Sequence, residues 1–511
     1  MSNIIRIGGR SSLLSKIQVH QVCQKLSLLF PNYQFETIFK QTSGDKDLNT
    51  PLWQMPGAGI FTKELGEDLT NRKIDIVIHS WKDLDLRERN STTIVPVLPR
   101  EDAHDLLLFK RNQWVKTPEK IRILTSSPRR EFFIKEFVKN YFPTPINSVP
   151  VSVESVRGNI QTRLKKYLLD EVSAIIIAKA AIDRILQFED SNEILPELKD
   201  TKQFIREVFE RSHFMVLPFS NFPNAPAQGA LAAEIRKEDT NLETMLRSLT
   251  DKETEFVVKK EREILSEFGG GCHQKIGVSV KIRSYGNVIF LRGQSEDGKN
   301  ISSKEIQNGA DFKFASDEVW PPNAKMAARQ RERLAYSIPE GMDVFVSRGY
   351  AFPLDLSVNP THQILWTAGM STWKDLANRG FWVNGTCDGL GETEMVSVET
   401  IINRKPNFIK LTHLDSDTKS SNYKTLPTYY VSAPEIPIPF DISKIKAAYW
   451  RSGSEFEIVT KRFPELLNVI HFVGPGSTYN RLKQTLGQKS HNNLYVTLSF
   501  ESWIEKHIKN I

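Results

Sequence analysis

Three short stretches, IDIVIHS (74 to 80), IRILTSS (121 to 127) and SAIIIA (173 to 178), are almost continuously apolar. A strand with one wet face alternates apolar and polar residues. Runs without that alternation must be covered on both faces, as parallel strands are beneath crossover helices. The amino-terminal IIRIG (4 to 8) reads as a further strand, after which Leu13, Leu14, Ile17, Val22, Leu26 and Leu29 recur near a 3.6 period until Pro31. That is a strand-turn-helix unit, and the first two thirds of the chain is expected to be α/β. At 511 residues, with 40% hydrophobic content, there is material for about three to four packed domains. Intrinsic disorder is excluded by the same composition.

From Thr250 a charged helix carries Val257, Ile264, Leu265 and Phe268 on one side, stops at Gly269-Gly270-Gly271, and is followed by alternating strands near 276 to 293. A small α+β unit is expected there. VWPPNAKMAARQRER (319 to 333), with its paired prolines, reads as a linker, and a new domain is expected to start near Met342. The remainder repeats one pattern: ILWTAGMSTWKDLANRG, AAYWRSGSEFEIVTKRF and VIHFVGPGSTYNRLKQTLG each read as a strand, small or hydroxyl residues, then an amphipathic helix. Backbone N–H groups at such helix starts suit anions, although helix capping alone explains the pattern equally well.

Lys plus Arg exceed Asp plus Glu by 68 to 61, and the positive charges come singly or in pairs. No basic run marks a nucleic-acid surface, so a small anionic ligand is expected and a nucleic-acid partner is not. Three cysteines, Cys23, Cys272 and Cys387, with no CxxC, build neither a disulfide framework nor a zinc site by spacing, which points to a reducing compartment. The start lacks a secretory apolar core and no stretch approaches a membrane span, so a cytoplasmic protein without a membrane partner is expected. The ten His show no HExxH spacing, and no metal is expected; GAG (57 to 59) lacks the spacing of a nucleotide loop.

Asp83, in HSWKDL (79 to 84), lies just beyond the carboxyl end of the strand IDIVI, the edge at which open α/β sheets bind ligands. A helix cap or an ion pair with Lys82 would explain its position as well. Arginines gather at other strand-to-helix junctions: Arg10, Arg129 and Arg130 after TSSP, Arg157 and Arg163 in VRGNIQTRL, and Arg184. Each alone is ordinary helix surface; together they suit a polyanion, because the guanidinium fork matches carboxylates bidentately. Cys272, in EFGGGCHQKIG, sits where three glycines leave the sulfur unobstructed, so a covalent role stands beside the usual buried thiol. His273 beside it does not make a hydrolase dyad, because catalytic partners meet in space rather than in sequence. Cys23 falls on the apolar side of a helix and Cys387 in a polar turn.

RIGGRSSLLSKIQ, QTSGDK, GIFTKEL, HSWKDL, TSSPRR, RGNIQTRL, PAQGAL and GGGC, in that order over about residues 4 to 300, resemble the hydroxymethylbilane synthases, or porphobilinogen deaminases. The resemblance implies two domains like periplasmic binding proteins around a cleft, 1–98 with 215–247 and 99–214, then a small α+β domain, 248–318, ahead of the linker read above, 319–342. It implies a dipyrromethane cofactor linked to Cys272, priming sequential addition of porphobilinogen, with Asp83 as the central catalytic carboxylate. By the same match Lys82, Ser126, Arg129, Arg130, Arg157 and Arg184 would hold the cofactor, and Arg10, Ser12, Gln18 and Arg163 the substrate. The chemistry agrees with those residue types. Loss of ammonia leaves an electron-poor methylene-pyrrolenine whose positive charge an ionised carboxylate stabilises, while arginines neutralise the acidic side chains of the growing product. Residues 42 to 60 are expected to form a flexible lid. Two departures stand out: Ala58 replaces the family's usual lysine, and the segment from about Gln187 to His213 is long, with no functional account.

Residues 343–511 resemble, less closely, uroporphyrinogen III synthases, which close hydroxymethylbilane with inversion of one ring, without a cofactor, between two α/β lobes. There Ser452, Ser454, Ser477 and Thr478 would contact propionates, and Tyr429 or Tyr430 would supply a proton to the leaving hydroxyl. The alternatives are a non-catalytic carboxy-terminal module, or a binding protein using the same cleft. A monomer acting on porphobilinogen and hydroxymethylbilane is expected.

Overall fold

The computed structural model describes residues 4–42, 62–86, 90–116, 118–191, 193–269, 274–321, 331–414, 416, 421–431 and 441–509. The first ten strands are β1 (Ile4–Arg10), β2 (Gln34–Lys40), β3 (Ile76–Ser80), β4 (Thr92–Val97), β5 (Asp105–Lys110), β6 (Ile121–Leu124), β7 (Val151–Glu154), β8 (Ala174–Ala178), β9 (Ser212–Leu217) and β10 (Leu231–Arg236). They form two five-stranded sheets, β2-β1-β3-β10-β4 and β7-β6-β8-β5-β9. In each, parallel strands (β1 with β2 and β3; β6 with β7 and β8) are extended by antiparallel ones, β10 in the first and β5 in the second. The apolar runs behave as their composition requires. All five residues of β8 are buried, each large aliphatic contributing about 1.5–3 kcal/mol. The helix Leu13–Leu29 buries Leu13, Ile17, Val22 and Leu26, and with them Cys23, whose thiol burial pushes up to about 12.

The chain leaves the first sheet after Val97 and returns at Leu231, so two crossings, 98–104 and 218–230, join the sheets. The expected boundary at 214 falls short, because β9 stays paired with β5 as far as Leu217 opposite Asp105. The helix Lys252–Ser266 then packs Val257, Ile264 and Leu265 on an antiparallel sheet of β11 (Gly277–Arg283), β12 (Gly286–Gln294) and β13 (Asn300–Gln307).

The remaining strands are β14 (Val319–Trp320), β15 (Arg331–Arg333), β16 (Asp343–Val346), β17 (Leu365–Thr367), β18 (Gly385–Thr386), β19 (Phe408–His413), β20 (Lys424–Val431), β21 (Ala447–Trp450), β22 (Ile470–Val473) and β23 (Leu494–Val496). They make two lobes, one on a six-stranded sheet, β15-β20-β19-β16-β17-β18, the other on four parallel strands, β14-β21-β22-β23. The chain therefore starts in the four-stranded lobe, builds the six-stranded one and returns. This corrects the expected linker 319–342: β14 pairs with β21 and β15 with β20, so both ends of that segment are sheet, while 322–330 lie outside the described residues. The lobe reaches further upstream still, since Ala310 and Phe314 are buried with Phe472 and Trp503. The lobes touch where Gly391 and Gly476, both at positive φ, pass so closely that a Cβ on either would lie about 3 Å from the other's Cα (2.9 and 3.1 Å).

The six-stranded lobe docks on the second sheet. Val216 N donates to Asn384 O at 2.8 Å, joining β9 to the residue before β18. Trp382 Nε1 and Asn384 Nδ2 both donate to Phe214 O, at 2.9 and 3.0 Å. Trp373 and Trp382 share one core with Phe109, Phe137 and Phe142. Cys387, expected in a polar turn, is 1% exposed, lying in a core that joins Phe345 and Trp366 of its own lobe to Phe214 and Val216 of the second sheet, and burial raises its thiol pKa.

Candidate active site

Asp83 closes a single helical turn, Trp81–Asp83, at the end of β3. Trp81 is buried among Leu84, Ala227, Ala230, Ala232 and Val258, and its backbone N donates to Ala230 O at 3.0 Å. With that ring pinned in the core, Lys82 and Asp83 stay half-buried at the strand end. Gln18, buried in the first helix, braces the same end by donating to Ser80 Oγ at 3.0 Å. At the end of the neighbouring β1, Arg10 donates its backbone N to Ser15 Oγ at 2.9 Å, and Ser12 precedes the helix, its carbonyl accepting from Lys16 N at 3.0 Å.

The second sheet presents its strand ends in the same way. Ser127 begins the helix Pro128–Tyr141, with proline at the first turn where no N–H is needed. Arg129 and Arg130 follow, 3% and 7% exposed, and both donate to Asp105, which is fully buried. Arg129 Nη2 reaches Asp105 Oδ2 at 2.6 Å, and Arg130 Nη2 and Nε reach Oδ1 at 2.6 and 3.1 Å. Gln228 Nε2 completes the set at 2.9 Å. Burial opposes ionisation of Asp105, yet the two guanidiniums outweigh it and hold the carboxyl well below its usual range.

Ser126 donates to Val156 O and accepts from Val156 N at 3.0 Å, fixing the turn that carries buried Arg157. Asn159 caps the helix Ile160–Tyr167, in which Arg163 Nε folds back on Gly158 O at 2.7 Å. Arg184, past β8, donates Nη2 to Gly229 O at 2.7 Å. Only glycine fits at 229, because φ is +88° and a Cβ would stand 2.4 Å from Glu101 O.

The charges show which groups converge. Burial lowers the Arg163 pKa to about 10, with Arg130, Arg157 and Arg10 adding repulsion and Asp83 opposing it. Burial likewise lowers Lys82, attracted by Asp83 and Asp105 and repelled by Arg130 and Arg129. Arg10, Lys82, Asp83, Arg129, Arg130, Arg157 and Arg163 thus share one neighbourhood in which guanidinium charge exceeds carboxylate charge. Burial lowers Arg184 to about 10 as well, against Glu101 and Asp183; a guanidinium at that value is still charged at neutral pH. Arg129 Nε and Arg184 Nε are buried donors with no hydrogen-bond partner among the described residues. Spare donors beside excess positive charge fit a ligand rich in carboxylates.

Cys272 and His273, residues 43–60 of the expected lid, and Ala58 within it lie outside the described residues. In the carboxy-terminal region the candidates divide between lobes. Tyr429 is buried in β20 with its ring 5.1 Å from Tyr350, and Tyr430 beside it bonds Glu332. Ser452 caps the helix Gly453–Arg462, accepting from Glu455 N at 3.2 Å, and stands 3.1 Å from Ser454 Oγ. Ser477 and Thr478 open the helix Ser477–Leu486 directly after Gly476 at the lobe contact. No group of three or more His, Cys, Asp or Glu could hold a metal among the described residues, and no described helix is long and apolar enough to cross a membrane.

Sequence reading missed Asp105, Gln228 and the anchoring role of Trp81. A signal for Asp105 existed: a carboxylate heading the apolar run DLLLF must be buried with the strand and so needs cationic partners.

Comparison with known proteins gives the family. The family described as porphobilinogen deaminase, dipyromethane cofactor binding domain, matches residues 5–244. The porphobilinogen deaminase of Nostoc sp. is 32% identical over 312 residues, 60% of this chain and 86% of that protein. That of Fusobacterium nucleatum is 31% identical over 326 residues, 62% of this chain and 98% of that one. The Rickettsia prowazekii enzyme is 29% identical over 311 residues, 60% and 94% respectively. Most or nearly all of each such relative is matched within this chain, and the chain belongs to the porphobilinogen deaminase family of tetrapyrrole biosynthesis.

Proposed function

We propose that the chain catalyses two consecutive steps: condensation of four porphobilinogen to hydroxymethylbilane with loss of ammonia, then cyclisation to uroporphyrinogen III. For the first step Asp83 is the catalytic carboxylate. It accepts hydrogen bonds from pyrrole N–H groups and stabilises the positive charge that develops as ammonia departs. Arg10, Arg157 and Arg163 pair with acetate and propionate groups of porphobilinogen and of the lengthening product. Arg129, Arg130 and Arg184 hold the cofactor's acidic side chains, for which Arg129 Nε and Arg184 Nε are the spare donors. The dipyrromethane, when bound through Cys272, primes addition of porphobilinogen. Ser12, Gln18, Lys82 and Ser126 complete the polar lining. The cleft lies between two domains like periplasmic binding proteins, each built on one five-stranded sheet.

One observation carries the second step. The region after Gln307 forms two α/β lobes, the chain passing from the four-stranded to the six-stranded and back, with Ser477 beginning its helix where the lobes touch. A two-lobed body of this kind is what the cyclase reading needs, and its attachment raises the local concentration of the second site around an unstable product. Ser452, Ser454, Ser477 and Thr478 are proposed to bind propionates from helix starts. Tyr430 is the better proton donor of the tyrosine pair, because Tyr429 is buried against Tyr350.

The second reading, a carboxy-terminal region that only supports the deaminase, is favoured by the burial of Trp373 and Trp382 in the second sheet's core. Incubating purified protein with porphobilinogen and separating the oxidised uroporphyrin isomers decides between them. The type III isomer supports the bifunctional reading; type I alone leaves the support role.

A further inference from the structure

The returning crossing, 218–230, is gripped from two directions. The arginine cluster leans on it from one: Arg129 Nη1 donates to Pro223 O at 2.6 Å, Arg184 Nη2 donates to Gly229 O at 2.7 Å, and Gln228 bonds the carboxylate that Arg130 shares. From the other comes Asp388 of the carboxy-terminal region. Its Oδ2 accepts from Phe219 N at 2.8 Å and Ser220 N at 3.4 Å, and its Oδ1 accepts from the Ser220 hydroxyl.

Asp388 is 7% exposed and sits at φ +54°, a left-handed conformation that a non-glycine residue keeps only when its surroundings enforce it. Those surroundings are visible: its N–H donates to Thr386 Oγ1 at 3.2 Å and its carbonyl accepts from Lys304 Nζ at 3.4 Å. A second contact of the same origin reaches the residue beside Arg184, where Thr400 Oγ1 donates to Asp183 Oδ1 at 2.9 Å. Carboxylate bonds to backbone N–H groups are the stronger class of hydrogen bond, so Asp388 fixes where the crossing starts, and three arginines take their bearings from the residues that follow, Pro223 to Gly229.

We propose that Asp388 is a positioning residue for the deaminase reaction: by holding Phe219 and Ser220 it sets the crossing against which Arg129, Arg130 and Arg184 are placed. This role stands whether or not the carboxy-terminal region cyclises hydroxymethylbilane, because it acts on the first activity alone.

The test uses the full-length holoenzyme and three readouts: kcat and KM for porphobilinogen, thermal unfolding, and the mass distribution of partly elongated enzyme. Asp388→Ala should lower kcat about tenfold to hundredfold, the scale of an ångström-size misplacement, and shift the distribution toward early forms, with KM less affected. Asp388→Asn, which keeps an acceptor oxygen, should recover part of the loss. Ser220→Ala, which removes one donor from the deaminase side, should shift the distribution in the same direction. If Asp388→Ala does not fold, the other two variants carry the test. A lowered unfolding temperature with kcat within twofold and an unshifted distribution in the variants that fold would overturn the proposal.

Discussion

Replacing Asp105 by Asn tests the buried anchor of the arginine cluster. The change keeps shape and one acceptor oxygen but removes the only carboxylate that Arg129 and Arg130 share among the described residues. Both arginines are buried, 3% and 7% exposed, so water cannot take over. Stranding a buried charge in this way costs about 3–5 kcal/mol. The bonds to Pro223 O and Ile176 O survive and place the expectation near the lower end, about 3 kcal/mol. Urea unfolding followed by tryptophan fluorescence, at a series of pH values, measures it. Asp105 is held below its usual pKa in the folded protein, so its stabilisation is complete above the unfolded value of about 3.9 and is lost as pH falls from there toward the folded value. The gap between wild type and Asp105→Asn should be constant from about pH 5 to 8 and close below about pH 4. A gap under about 1 kcal/mol at pH 7, or one unchanged at pH 3, would refute the reasoning.

Asp83→Asn should leave thermal unfolding within a few degrees of wild type while lowering ammonia release roughly 10²- to 10³-fold, as loss of charge stabilisation does elsewhere; a near-normal rate counts against its role. Arg163→Leu should leave a folded protein that loads cofactor or extends the product poorly, read by intact mass, and full loading with normal elongation would mean this arginine does not touch the anions. Trp382→Ala should cost about 3–5 kcal/mol and release the six-stranded lobe to limited proteolysis, since Trp382 packs on Phe109, Phe142 and His213 across the interface; unchanged cleavage would show that the docking does not depend on it.

Much of the fold was legible because it is local. The run AIIIA can hardly be anything but a strand covered on both faces, and Asp83 stands within three residues of the end of such a strand. The arginines were legible for the same reason, each following an apolar run by a few residues. What could not be read is what joins distant parts. Asp105 meets Gln228 across 123 positions, and Asp388 meets Phe219 across 169. The misread linker has a plain cause: Val319–Trp320 is a strand of two residues beside prolines, too short for periodicity and too rich in turn signals to look like sheet. Cys387 misled similarly, because its polar neighbours in sequence conceal a side chain buried in a core assembled from distant parts of the chain.

The way the carboxy-terminal chain threads its two lobes dictates where it can be severed. Starting a fragment at Asp343 would strip Val319–Trp320 from the edge beside β21 and remove Phe314, which bridges Ile508 and fills the space against Phe472 and Trp503. The cut that keeps every strand of both lobes lies between Gln307, the last residue of β13, and Asn308, whose side chain already bonds Val496 O at 2.8 Å. Even that fragment would expose the tryptophans now sunk in the second sheet, so independent expression of the two parts should yield a sticky piece that seeks its former neighbour.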